Sequence, residues 1–382
     1  MVEFTILTNP AFYFGQGSLG KLPDLVSQRA GRVLFLLSRS FSASRQWKKL
    51  RGLCSKNNVT CFDYPVHGEP SPELIDEICG EYRESGIDLI VGIGGGSVLD
   101  TGKAVAAMMQ TQGKTIQYLE GVGDKKHPGI SLPFIAVPST SGTGSEATKN
   151  AVLSSPGREG FKKSLRHNNF IPVAAVVDPE LTEDLPQNVL AACAMDAFSQ
   201  LTEAYVSKNA NPYTDALAIS GIQAAAPALG ALCDKQDLSP EERSGLSYGA
   251  YLSGIVLANA GLGTVHGIAG PLGGYADIPH GVACGKLLAP VIEQTFSKLT
   301  LPQDKQIISK FENLGIAAAE STSAEAFIHL LWKWSEKLEL PGIGEYGITE
   351  QDLEVIAGKS GNKNNPVVLE EDEIIRVLKK AL

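Results

Sequence analysis

The segment DLIVGIGGG, residues 88–96, constrains the fold more than any other. A continuous apolar run stops at a glycine cluster, and a helix-like stretch from Ser97 to Met109 follows. Apolar runs without alternation suit strands buried on both faces, as in a parallel sheet covered by helices. The same order recurs through the first half of the chain. VLFLL (33–37) reads as a strand, a helix is expected from about Ser44, and Val59 to Tyr64 reads as a second strand. Pro72 and Glu73 open an amphipathic helix with Leu74, Ile78 and Tyr82 on one face. PFIAVP and VAAVVDP supply two further strands. This repetition predicts an α/β domain built on a parallel sheet.

After about Leu185 the strand pattern disappears. Gln187 to Ser207 reads as one helix, and Ser239-Pro240-Glu241-Glu242 is a capping box with proline at the first helical position. Thr322-x-x-Glu325 and Thr349-x-x-Asp352 are expected to open two more helices. The predicted division is an α/β domain over 1–182 and an all-helical domain over 183–382. Two domains suit a chain of 382 residues, at roughly 100–200 residues per domain. The formal charge, 33 − 42 = −9, argues against nucleic acid as the main partner. No apolar run approaches the ~20 residues of a bilayer span. The N-terminus lacks signal-peptide features, and the six cysteines include no C-x-x-C pair, so a reduced cytoplasmic protein is expected.

Two loops carry the first chemical signal. Gly94, Gly95, Gly96 and Ser97, with Asp100 one turn on, lie where a strand meets a helix. Residues without side chains let the backbone approach a diphosphate, and the helix N-terminus offers free N–H groups. The second loop, PSTSGTGSE (138–146), supplies Ser139, Thr140, Thr143 and Ser145 after the next strand. Either loop alone would read as a tight turn. Two at one sheet edge, where open α/β sheets bind ligands, point to a nucleotide.

Histidine supplies the second signal. His266 and His280 both lie in a glycine-rich stretch with few other polar side chains, and Asp196 lies in the apolar helix AACAMDAFSQLTEAY. A buried carboxylate needs a cation, a cap or strong donors. Gln200, four residues on, shares its helix face. Asp196, Gln200, His266 and His280 thus form a candidate shell for Fe(II) or Zn(II). Cys193 and Cys284 read as small core residues.

Taken together, GGGSVLDTGKAVA, PSTSGTGSEATKNAV, VVDPELTEDLP, AMDAFSQLTEAY, VHGIAGPLGG and IPHGVACG resemble the iron-containing (group III) alcohol dehydrogenases of the dehydroquinate synthase-like superfamily. The resemblance runs over nearly the whole chain. It implies a nucleotide-binding α/β domain, a helical domain, a cleft between them holding metal and nicotinamide, and a homodimer or larger homo-oligomer. Gly95, Gly96 and Ser97 would hold the pyrophosphate, and Ser139, Thr140, Thr143 and Ser145 would line the path to the nicotinamide. Lys162 matches the family lysine near the nicotinamide ribose. Asp196, His266 and His280 match three metal ligands, which also makes them the catalytic set.

The chain departs from the family pattern twice. Gln200 stands where the fourth ligand is normally histidine, and Gly270 replaces the second histidine of H-x-x-x-H, which is often given a proton-relay role. Gly270 also leaves room for a larger or more polar substrate. Ser38, Arg39 and Ser40, with Arg45 nearby, occupy the turn after the first apolar strand, where NAD-preferring relatives often place aspartate. Hydroxyls and a guanidinium suit a 2′-phosphate, so NADP(H) is expected over NAD(H). The expected reaction is reversible hydride transfer between nicotinamide and a small alcohol or carbonyl compound. A lyase resembling dehydroquinate synthase would want a basic cluster near the metal, and the helical half shows none in sequence. A catalytically impaired nucleotide binder is the other alternative.

Overall fold

The computed structural model describes residues 3–382. Eight strands, β1 (Phe12–Phe14), β2 (Arg32–Ser38), β3 (Thr60–Val66), β4 (Leu89–Gly94), β5 (Phe134–Pro138), β6 (Asn150–Ser155), β7 (Phe161–Arg166) and β8 (Ala174–Val177), occupy the first half. Five helices lie among them: α1 (Leu22–Ser27), α2 (Arg39–Ser42), α3 (Arg45–Lys56), α4 (Pro72–Tyr82) and α5 (Gly96–Met108). Six strands form one parallel sheet in the order β1-β8-β5-β4-β2-β3, while β6 and β7 pair antiparallel as a separate ribbon. β1 and the ribbon are absent from the sequence reading. β1 has only three residues, and FKKSLR in β7 carries too many charges for an apolar pattern.

Alternation along β2 shows how the sheet is held. Leu34 and Leu36 pack with Ile75, Ile78 and Val105 on one face. Val33, Phe35 and Leu37 pack with Leu22, Trp47 and Leu50 on the other. Both faces are covered, so the strand reads as an unbroken apolar run. The chain moves outward from β2 to β3 and returns to lay β4 on the other side of β2. That reversal opens a crevice beyond the C-terminal ends of β2 and β4, the position where open α/β sheets bind ligands.

The second half is helical: α6 (Gln187–Val206), α7 (Pro212–Cys233), α8 (Pro240–Ala260), α9 (Thr264–Tyr275), α10 (His280–Ser297), α11 (Lys305–Ala319), α12 (Ala324–Lys337), α13 (Leu353–Lys359) and α14 (Glu371–Ala381). The Ser239 box caps α8, its hydroxyl accepting from the Glu242 N–H at 3.2 Å. At α12 the cap is Ser323 rather than Thr322. Its hydroxyl accepts from the Ala326 N–H, so the helix starts one residue later than the sequence pattern suggested. The Thr349–Asp352 box forms, but it caps a short 3₁₀ turn that runs into α13. The core of this domain is continuous through α6, α8, α9, α10 and α12.

Candidate active site

A cleft of about 940 Å³ runs between the sheet edge and the helical domain. This is near the top of the range of roughly 300–1,000 Å³ seen for small-molecule sites. On the sheet side it is lined by Gly95, Gly96, Ser97, Asp100, Thr140, Thr143 and Ser145, and on the helical side by Asp196, Gln200, His266, Gly270 and His280. Both loops read from sequence therefore face the same space.

The loops are held closely together. A Cβ on Gly96 would stand 2.6 Å from Thr143 Cγ2, so only glycine lets the two loops meet there. Asp100 is a brace: it accepts from Ser145 Oγ at 2.5 Å and from the Val152 N–H at 3.0 Å, and lies 3.4 Å from Lys103 Nζ. Asp100 and Ser145 thus spend their polar atoms on each other, although both reach the cleft wall. Gly94 and Ser139 do not line the cleft; the Ser139 N–H donates to the Gly94 carbonyl and joins the two strand ends. Ser38 and Arg39 also lie outside it. They end β2 beside β4, where Leu37 pairs with Ile93, and the Ser38 hydroxyl caps α2.

Glu69 had no signal in sequence. Its carboxylate accepts from Lys162 Nζ at 3.1 Å and from Ser97 Oγ at 3.3 Å, tying β7 to the Gly95–Ser97 turn. Burial works against its charge, but Lys162 holds its carboxyl below the ordinary glutamate value.

Across the cleft, three helices bring four donor atoms together. Asp196 and Gln200 lie one turn apart on α6, His266 on α9, and His280 and Cys284 one turn apart on α10. α10 approaches α6 closely because Gly281 packs on the Ala192 carbonyl, where any Cβ would collide. His266 Nε2 lies 3.3 Å from Asp196 Oδ1, and His280 Nε2 lies 3.8 Å from the same oxygen. Cys284 Sγ lies 3.5 Å from His266 Nε2 and 3.7 Å from His280 Nε2. A tetrahedral metal site with bonds of roughly 2.0–2.3 Å has edges of roughly 3.3–3.8 Å. These donors are spaced for a metal ion of that size, and Cys284, a core residue in the sequence reading and buried in the core, also stands among them.

The second layer fixes the donors. His266 Nδ1 donates to Glu203 Oε2 at 2.7 Å, which leaves Nε2 facing the cluster. Two electron-rich atoms, His266 Nε2 and Asp196 Oδ1, then need a proton or a metal ion beside them. Without metal, a proton serves: burial opposes it, but Cys284, Asp196 and Glu203 raise the His266 pKa well above its ordinary value. Burial also works to raise Asp196, yet His280 and the hydrogen bond from His266 hold its carboxyl down at about 2. Burial pushes His280 down to about 4 and the Cys284 thiol up to about 11. Gln200 is buried against this cluster, its Oε1 2.7 Å from Ser253 Oγ.

Comparison with known proteins gives a match to two family models. Residues 9–179 match the model for iron-containing alcohol dehydrogenases, and residues 190–382 match the C-terminal model for that family. The chain belongs to the iron-containing alcohol dehydrogenase family. It is 32% identical to the NAD-dependent methanol dehydrogenase of Bacillus methanolicus, covering 98% of both chains. It is 30% identical to alcohol dehydrogenase 4 of Saccharomyces cerevisiae (strain YJM789), covering 97% of both. Among solved structures, the iron-containing alcohol dehydrogenase of Thermococcus thioreducens superposes with a TM-score of 0.86 at 28% identity over 99% of both chains. The alcohol dehydrogenase of Oenococcus oeni gives 0.85 at 28% over the whole of both. An iron-containing alcohol dehydrogenase implies a divalent metal and a nicotinamide cofactor.

Proposed function

We propose that this chain is a metal-dependent dehydrogenase that interconverts a small alcohol and its carbonyl compound, using NADP(H) in preference to NAD(H). The observation that carries the reading is that the donor tetrahedron and the Gly95–Ser97 turn open on one cleft. Asp196, His266, His280 and Cys284 would hold the ion, and Gly95, Gly96 and Ser97 would hold the cofactor diphosphate. When bound, the nicotinamide supplies or accepts the hydride, and the metal stabilises negative charge on the substrate oxygen as a Lewis acid.

The protein's own groups set the conditions for that chemistry. Asp196 stays ionised, and His280 stays neutral with a free ring nitrogen at pH 7. Glu203 orients His266 through Nδ1. Gly270 contributes no proton-carrying side chain, and nothing lies within 4 Å of where its Cβ would be. Reduction of a carbonyl consumes one hydride and one proton, and with glycine at 270 the proton enters from solvent through the open cleft.

The cofactor preference is supported by the turn after β2. It carries Ser38, Arg39 and Ser40 and no acid, beside β4 at the crevice. A 2′-phosphate there would meet hydroxyls and a guanidinium. The test is kcat/KM with each nucleotide on metal-loaded protein. A higher value for NADPH supports the reading, and a higher value for NADH overturns the preference.

A further inference from the structure

We propose that the substrate is a short aldehyde or alcohol whose other end carries a compact oxyanion, a carboxylate, sulfonate or phosphonate, held between Lys363 and Arg166. This deepens the dehydrogenase reading and rests on it. No basic cluster is visible around the metal motifs in sequence. The fold assembles one from two distant segments.

One wall is the ribbon. Cross-strand pairs Asn150–Arg166, Val152–Ser164 and Ser154–Lys162 fix its register, and Asn150, Val152, Lys162, Ser164 and Arg166 all line the cleft. Phe161 and Lys162 sit against Gly274 and Gly273 at the end of α9, and β7 then runs back along that helix. The other wall is the loop after α13. The Gly361 carbonyl presses on Gly267 near the start of α9, where no Cβ would fit, and the Gly361 N–H donates to the Gly267 carbonyl at 3.3 Å. Lys363 and Asn364 follow at the cleft wall. Gly270, one turn beyond His266 on α9, lines the same cleft, with open space in place of a side chain.

The cations differ in what they are already doing. Lys162 is paired with Glu69, and Arg166 reaches Glu120 at 3.5 Å with both side chains about half exposed. Lys363 has no carboxylate within ion-pair distance among the described residues. Its backbone sits at φ 43°, a left-handed conformation unusual for lysine. The loop holds it there: the Asn364 N–H donates to the Leu262 carbonyl at 2.9 Å, and the Asn364 carbonyl accepts from the Lys208 N–H at 2.9 Å. The Lys363 side chain is exposed where it lines the cleft, and its surroundings pull its pKa down, with Arg166 and Lys163 adding to the effect of burial and Glu203 and Cys284 opposing it. Lys363 and Arg166 line the same cleft as Gly270, His266 and His280.

In the open cleft water meets the Lys363 charge, and a neutral substrate would offer it no counter-charge. An oxyanion would accept from Lys363 and Arg166 while the carbonyl at the other end lies over Gly270 toward the donor cluster. The cofactor diphosphate is assigned to Gly95–Ser97, which Glu69 ties to Lys162 at the near end of the ribbon, and Arg166 stands at the far end of β7. The match to alcohol dehydrogenases over the whole chain assigns the anion to an aldehyde or alcohol rather than to a lyase substrate.

The experiment compares succinic semialdehyde with its methyl ester, and phosphonoacetaldehyde with propionaldehyde, on metal-loaded enzyme with NADPH and with NADH. The expected result is a higher kcat/KM for the charged member of at least one pair, carried mainly by KM. Inorganic phosphate should compete with the aldehyde. Lys363→Gly removes the ammonium and also relieves the backbone, so folding is favoured. It should lower the charged-to-neutral ratio about ten- to hundredfold, the scale of a lost charge-assisted hydrogen bond. Lys363→Arg should retain most of the ratio. Neutral aldehydes turned over as well as or better than both charged ones would overturn the anion site and leave the dehydrogenase reading standing. Absence of turnover with every aldehyde and both nucleotides would overturn both.

Discussion

The Ser253 hydroxyl oxygen lies 2.7 Å from Gln200 Oε1 and 2.7 Å from the Ala250 carbonyl oxygen. One hydroxyl hydrogen serves only one of these acceptors. Exchanging the amide oxygen and nitrogen of Gln200 resolves the conflict: its NH₂ then donates to Ser253, and Ser253 donates to Ala250. The Gln200 NH₂ now serves the Asp196 carboxylate, so the exchange gives up that hydrogen bond and turns Oε1 toward Asp196, where two oxygens face each other unless a cation lies between them. Metal binding and the Gln200 orientation are therefore coupled, which gives Gln200 a way to join the donor set.

The first prediction follows from that coupling. Ser253→Ala removes the group that receives the turned amide, and metal affinity should fall roughly tenfold, at the low end of the range for outer-layer partners of metal ligands. Gln200→His should raise it, since imidazole is the stronger donor. Competition against a chromophoric chelator measures both. Equal affinities in all three proteins would remove Gln200 from the site.

Cys284 should act as a thiolate ligand. With Co(II) bound, the protein is predicted to show a near-ultraviolet thiolate-to-cobalt charge-transfer band, which Cys284→Ser abolishes while Cys193→Ser keeps it. A band that survives in Cys284→Ser would exclude the cysteine.

Glu203 should matter through His266 alone. Glu203→Gln keeps the shape but weakens acceptance of the Nδ1 proton, and metal affinity is expected to fall roughly ten- to hundredfold. Isothermal titration with Zn(II) gives the value, and an unchanged affinity would contradict the orienting role.

Glu146 supplies a pH dependence away from the metal. It is 2% exposed, and burial raises its carboxyl to about 7, against the pull of a backbone hydrogen bond and Lys103. An acid whose folded pKa is raised holds a proton in the folded state that the unfolded chain has released, so stability falls as pH rises through this window. Between the ordinary carboxylate range and pH 7 the loss attributable to Glu146 is roughly 3 kcal/mol. Glu146→Gln should flatten that slope in chemical denaturation curves at pH 5, 6, 7 and 8. A slope unchanged by the substitution would show that Glu146 does not titrate there.

The parallel sheet and the helical half were legible because β2, β4, β5 and β8 are apolar on both faces and because capping residues such as Ser239 mark helix starts. The β6–β7 ribbon was not. Its strands are partly solvated and carry Lys162, Lys163 and Arg166, so neither an apolar run nor a clean alternation marks them. The same blindness hid half of the proposed anion site. Asp196, His266 and His280 stood out as isolated polar residues in apolar or glycine-rich stretches, and the fold brings them together. Cys284 did not stand out, because a buried cysteine in an apolar helix looks the same whether it packs or ligates; only its spacing of four from His280 held the information. Glu69, Glu203 and Lys363 act across domain or helix boundaries that no local pattern encodes.

The most direct measurement is NADPH oxidation with a panel of short aldehydes by protein stripped with chelator and then titrated with Fe(II) or Zn(II). Turnover that is absent in the stripped protein and saturates at about one ion per chain, the stoichiometry of a single four-donor cluster, is the predicted result. Turnover unaffected by stripping, or absent at every metal concentration with both nucleotides, would contradict the account.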